Sequence, residues 1–186
     1  MYKSQVIYYS MELRSLEGCR LLIGSYPPFS YNASGGGGKG TLLPSKHNHI
    51  LSLSFSSKTF SIPPLNSRTT KFSSLPLPPI LKIKMSLDKL EGTINKNSGE
   101  VLLEFESKFI FSIGAIAQFP ALSVNTSLHT GKVKGKLHEG EGIVMQKNGK
   151  VKLVGISTIP PTGNKILDTF LSLPNEALAE LQCEIK

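Results

Sequence analysis

After residue 80 the chain settles into alternation. In ILKIKMSLDKL the apolar Leu81, Ile83, Met85 and Leu87 are interleaved with Lys82, Lys84, Ser86 and Asp88, the period-two pattern of a strand with one buried face. NKNSG, residues 95–99, reads as a turn. Val101, Leu103, Phe105, Phe109, Phe111 and Ile113 then hold one parity against Glu104, Glu106, Lys108 and Ser112, which predicts a long strand bent or bulged near Ser107. Leu122, Val124, Thr126 and Leu128 predict another strand, and GKVKGKLHEGEG a glycine-punctuated edge or hairpin.

In IVMQKNGKVKLVGISTI the Asn148-Gly149 pair lies between two apolar-rich runs, and both residues tolerate positive φ. A two-residue type I′ hairpin is the expectation. Ile166, Leu167, Phe170 and Leu171 fall at helical spacing in GNKILDTFLSLP, with Asn164 as the N-cap and Pro174 as the stop. The closing EALAELQCEIK alternates again and favours a last strand. Six to eight strands and one short helix predict a mainly β fold, an antiparallel barrel or sandwich, over residues 80–186. Few helices separate the strands, which argues against a parallel α/β sheet.

Before residue 80 composition speaks differently. SKHNHILSLSFSSKTFSIPPLNSRTTKFSSLPLPP, residues 45–79, has no Asp or Glu, is dense in Ser and Thr, and carries scattered Lys and Arg. That is the composition of an organelle transit peptide, and its hydroxyl and proline content favours a chloroplast address, in the stroma or on the stromal face of the thylakoid. Glu12 and Glu17 fit this poorly, which marks the first 44 residues as an upstream extension. Residues 1–79 are therefore expected to be a disordered extension without a packed core.

The formal net charge of +8 lies wholly in residues 1–85, where ten Lys and Arg face two acidic residues, while the remainder is balanced. Nucleic-acid binding is not expected from such dispersed charge. Lys132, Lys134 and Lys136 share one strand face but have no neighbouring aromatic residues for base stacking, so they read as guards of an edge strand. Cys19 and Cys183 are too few for a disulfide scaffold and point to a reducing compartment, with Cys183 on a buried parity. Residues 109–128 are uncharged over a membrane-spanning length, but Gly114, Gln118, Pro120 and Asn125 interrupt them, and no transmembrane span is expected.

The most motif-like stretch is SGGGGKGT, residues 34–41. A phosphate-binding P-loop requires Gly at position 33 and Ser or Thr at position 40; Ala33 and Gly40 stand there, and Pro44 follows too soon for a helix. The run reads as a flexible spacer, and no cofactor is implied.

Phe111, Ile113, Ile116 and Phe119, in and beside SIGAIAQFPAL, are the candidate contacts of an apolar ligand, with Phe170 in a segment that would cover the opening. The alternative is an enzyme or metal-binding protein built on His129, His138, Glu139 and Glu141, the one grouping of ligand-type side chains in the domain, with Asp168 as a conceivable acid–base companion. PALSVNTSLHTGKVKGKLHEGEG and GKVKLVGISTIPPTGNKILDTFLSLPNEALAEL resemble an uncharacterised family of small proteins from plant plastids and cyanobacteria. The resemblance covers about residues 80–186 and implies a plastid location; it supplies no functional residues. The functional expectation is a non-enzymatic plastid domain that binds a protein partner or an apolar small molecule, in photosynthetic assembly or lipid handling.

Overall fold

The computed structural model describes residues 9–45 and 49–186. The early strands are β1 (Tyr9–Ser15), β2 (Cys19–Ile23), β3 (Phe29–Tyr31), β4 (Gly37–Pro44), β5 (Ile50–Phe55), β6 (Thr70–Phe72) and β7 (Leu75–Pro76). The long staves follow: β8 (Leu81–Asn95), β9 (Val101–Ile113), the short β10 (Ala117–Gln118) and β11 (Leu122–His129). A small hairpin of β12 (Lys132–Lys134) and β13 (Glu139–Glu141) precedes β14 (Lys150–Ile159), helix α1 (Lys165–Leu171) and β15 (Asn175–Ile185).

The protein is mainly β and antiparallel, as alternation predicts, but its main sheet has 13 strands, because the residues before 80 join it. Eight strands pair in the order β1-β4-β5-β8-β9-β11-β14-β15, and β15 pairs back to β1 through Leu13↔Ile185 and Ser15↔Cys183. The sheet thus closes on itself as a barrel, which removes its open edges. Along its upper half β15 pairs instead with β2, and β3, β6 and β7 continue from there. This flap folds round until Leu65 bridges Ile83 on β8. Two stacked core clusters result. The lower contains Met11, Leu13, Leu53, Phe55, Leu103 and Leu153, and the upper contains Cys19, Tyr31, Leu65, Ile83, Phe111 and Leu167.

Residues 9–45 and 49–79 are therefore not a disordered extension, and β1, β4 and β5 are three of the barrel's eight staves. The expectation for residues 1–8 and 46–48 lies outside the described residues. Composition misled because the serines of β5 are its outward face: Leu53 and Phe55 are buried while Ser54 between them is exposed.

The glycine run is likewise no spacer. It lies at the start of β4, where a Cβ on Gly37 would fall 1.9 Å from the Leu13 carbonyl oxygen and one on Gly40 2.7 Å from the Phe55 ring. These glycines let β4 press against β1 and two aromatic side chains.

The expected bulge is present opposite Ser107, but the extra residue is Asp88 of β8, between the pairs Leu87↔Ser107 and Lys89↔Glu106. Ser107 is fully buried there and donates to the Ser86 carbonyl at 2.8 Å. The turn at Asn148-Gly149 also forms, though not as type I′. Only Gly149 is left-handed (φ 84°), its N–H donates to the Gln146 carbonyl, and the Asn148 side chain accepts from Lys150 N–H. A longer loop with a left-handed glycine serves in its place. Helix α1 matches the expectation: Asn164 Oδ1 accepts from Leu167 N–H at 3.0 Å and Ser172 ends the helix in the left-handed region. Among the described residues no helix is long and apolar enough to cross a membrane.

Candidate functional site

Inside the barrel, between the two clusters, lies a cavity of about 160 Å³. Its origin is visible in the pairing of β14 with β15. Gly155 stands opposite Ala179 and Ser157 opposite Ala177, and all four line the void. Strand faces that pack a barrel core ordinarily carry Leu, Ile or Val, so the small Ser157, Ala177 and Ala179 leave space that side chains from the other strands do not fill. At Gly155, by contrast, β11 presses in, and a Cβ there would fall 2.7 Å from the Ser127 carbonyl oxygen. Leu103, Phe105, Phe109 and Phe111 of β9, Met85 of β8 and Leu21 of β2 form the remaining walls.

The walls are mostly apolar in effect, because four of their hydroxyls are already used. Ser15 Oγ donates to the Ala33 carbonyl, Thr126 Oγ1 to the Ile156 carbonyl, Ser157 Oγ to the Asn125 carbonyl, and the Tyr31 hydroxyl to the Pro63 carbonyl. The thiols are equally inert. Burial pushes Cys19 above its ordinary pKa, and burial together with the neighbouring Cys19 pushes Cys183 up to about 12. Protonated at neutral pH, both pack as small hydrophobes and neither serves as a nucleophile.

Thr126 and Ser157 have a second role. The β11–β14 seam has a single backbone register pair, His129↔Val154, so these two hydroxyls bridge the strands where regular pairing gives out.

The structure distributes the expected ligand contacts unevenly. Phe111 lines the cavity. Phe119 packs half-buried against the upper cluster. Ile113 sits half-buried at the end of β9, and Ile116 is 90 % exposed in the turn beyond it. Phe170 points outward from α1, its ring centroid 6.0 Å from that of Tyr26, whose hydroxyl donates to the Phe170 carbonyl. The helix reaches the upper cluster with Leu167 and Leu171 instead.

His129, His138, Glu139 and Glu141 are not gathered. His129 ends β11, where its Nδ1 accepts from Gly131 N–H at 3.2 Å beside an open surface groove of about 490 Å³. Glu141 pairs with Lys132 at the base of the β12–β13 hairpin, while His138 and Glu139 are at its tip. Among the described residues no three His, Cys, Asp or Glu side chains are placed to hold a metal. Asp168 is committed elsewhere: the Thr162 hydroxyl and the Thr162 and Gly163 N–H groups hold its carboxylate and lower its pKa.

An unanticipated carboxylate is Glu176. It accepts from the backbone N–H groups of Lys136, Leu137 and His138 at 2.6–2.9 Å, tying the hairpin tip to the start of β15. Burial acts to raise its pKa, but the three donors outweigh that effect and hold it below the ordinary glutamate range.

Fold and site together define a class: an antiparallel β-barrel with a largely apolar interior cavity. Comparison with family models, curated proteins and solved structures gives no match to this chain.

Proposed function

We propose that this protein is a non-enzymatic carrier that holds a small apolar molecule, or the hydrocarbon end of a larger one, inside the barrel. The observation that supports this reading is the 160 Å³ cavity beside Ser157, Ala177 and Ala179. Apolar voids of ~150 Å³ stay dry and take up benzene, whereas drug-sized sites run to about 300–1,000 Å³. One ring or a short hydrocarbon stretch therefore matches the space. Recognition would rest on shape and on the ~25 cal/mol per Å² released when apolar surface leaves water.

Lipid handling is the cellular role closest to this chemistry. A plastid setting belongs to the proposal on the composition of residues 45–79 and on the family resemblance. Because β1, β4 and β5 are staves, such an address would have to act without removal of the chain up to residue 79.

The test is a titration of the full chain with benzene followed by methyl NMR. Saturable shifts confined to Leu103, Leu153, Leu181 and Ile159 are expected. Absence of saturable shifts, or shifts spread evenly over surface methyls, would overturn the carrier reading.

A further inference from the structure

Strand directions place one set of loops together at the upper end of the barrel. The starts of β8, β11 and β15 and the ends of β9 and β14 meet there, together with the β2–β3 loop, the β6–β7 turn and α1. Glu176 brings the tip of the β12–β13 hairpin to the same level.

This rim collects the most exposed large apolar side chains among the described residues. Leu75, Ile80, Ile116, Leu137, Ile166 and Phe170 are 57–90 % exposed. The four others, Tyr9, Leu102, Ile143 and Val144, are 42–53 % exposed and lie toward the opposite end. Under the exposed residues at the rim is an aromatic base, with Tyr26 6.4 Å from Phe72 and Phe29 4.7 Å from Phe72 between ring centroids.

Free charge at the rim is mostly positive. Lys71, Lys82, Lys136 and Lys165 are exposed, and none of them pairs with a carboxylate among the described residues. Of the rim carboxylates, Asp168 and Glu176 are occupied by Thr162 and Gly163 and by the hairpin amides, which leaves Glu139 at the hairpin tip as the exposed one against four lysines. Exposed apolar side chains ringed by unpaired lysines suit an anionic lipid surface, in which the apolar groups enter the headgroup boundary while the ammonium groups remain among phosphates.

We infer that the upper rim docks on the surface of an anionic bilayer, with Ile166 and Phe170 of α1 as its central apolar contacts. Docking would place the end of the barrel nearest α1 against the lipid. The inference goes beyond the carrier reading and does not require the cavity to be occupied.

The experiment is flotation of the full chain with vesicles of phosphatidylcholine alone and of phosphatidylcholine mixed with phosphatidylglycerol. Binding to the mixed vesicles, weakened by salt, is expected. Lys82→Gln and Lys165→Gln should each reduce the partition coefficient about fivefold. Ile166→Ser combined with Phe170→Ser should reduce it more than tenfold, because two apolar side chains no longer leave water. These positions are exposed, and an unchanged melting temperature confirms that each variant is folded.

No flotation with mixed vesicles, or flotation indifferent to both sets of substitutions, would overturn the inference. So would a concentration-dependent dimer that the serine substitutions dissolve while vesicle binding is absent, since the rim would then join two copies of the chain. Ala179→Leu separates the two proposals: it should abolish benzene binding and leave flotation unchanged.

Discussion

Filling the cavity is the most direct check on whether space exists where four small residues meet. Ala179→Leu adds three carbons on the inward face of β15, opposite Gly155 and within the 160 Å³ void. At about 0.8 kcal/mol per buried methylene, a side chain that enters unoccupied space should stabilise the fold by about 2 kcal/mol. For a chain of this length that corresponds to a rise in Tm of about 4–8 °C. If the walls were already in contact, the same three carbons would overpack the core and destabilise it by about 1–3 kcal/mol. The sign of the change therefore decides the matter. Thermal unfolding followed by far-ultraviolet circular dichroism gives the first reading. Repeating it with benzene at about a hundred times its Kd gives the second: linkage raises wild-type stability by about 2.7 kcal/mol, while the filled variant should not respond. A lower Tm for Ala179→Leu, or an undiminished response to benzene, would refute the assignment of this volume as the binding site.

Three further outcomes follow from the fold. Residues 80–186 alone lack β1, β4 and β5, so a fragment spanning them should show no cooperative unfolding transition, in contrast to the full chain. Gly37 and Gly35 both have positive φ, but only at Gly37 would a Cβ meet backbone, 1.9 Å from the Leu13 oxygen; Gly35→Ala should cost about 1–2 kcal/mol in urea unfolding and Gly37→Ala distinctly more. For Glu176 the folded pKa lies below its unfolded value, so the carboxylate's hold on the hairpin is present above the ordinary glutamate range and is lost as pH falls through the lowered pKa. Amide shifts of Lys136, Leu137 and His138 should move together over that acid window, and Glu176→Gln should abolish the transition.

Much of the fold was readable where one strand face meets the core and the other meets water. Leu81 to Leu87, the long β9 and the β15 parity of Cys183 and Ile185 all follow that rule, and the cap at Asn164 follows from its side chain. The described strands before residue 80 obey it too. Met11 and Leu13 are buried and alternate with Glu12 and Arg14, as Leu53 and Phe55 alternate with serines. Their strands are short, and their outward residues are mostly hydroxyl-bearing or charged. An average over composition therefore registered the solvent face and missed the periodicity beneath it. The glycine run was misread for a related reason: its requirement comes from the Leu13 carbonyl and the Phe55 and Phe60 rings, distant in sequence, whose approach no local rule reveals.

The site was less legible because it is a deficit of volume, and a deficit depends on register. Gly155, Ser157, Ala177 and Ala179 are each unremarkable on their own strands, and alternation does assign them inward parity. What sequence leaves open is that Gly155 faces Ala179 and Ser157 faces Ala177, which gathers the small residues into one patch. A slip of β15 by two residues would keep every side chain on its own face yet set Gly155 against Leu181 and shrink that patch. The five residues first favoured as ligand contacts were selected for being large and apolar; of these only Phe111 reaches the void, and Ile116 and Phe170 emerge on the rim. Large apolar residues mark where a protein fills space or offers a surface. A cavity is marked by small ones facing each other across a known register, and that register is what the coordinates add.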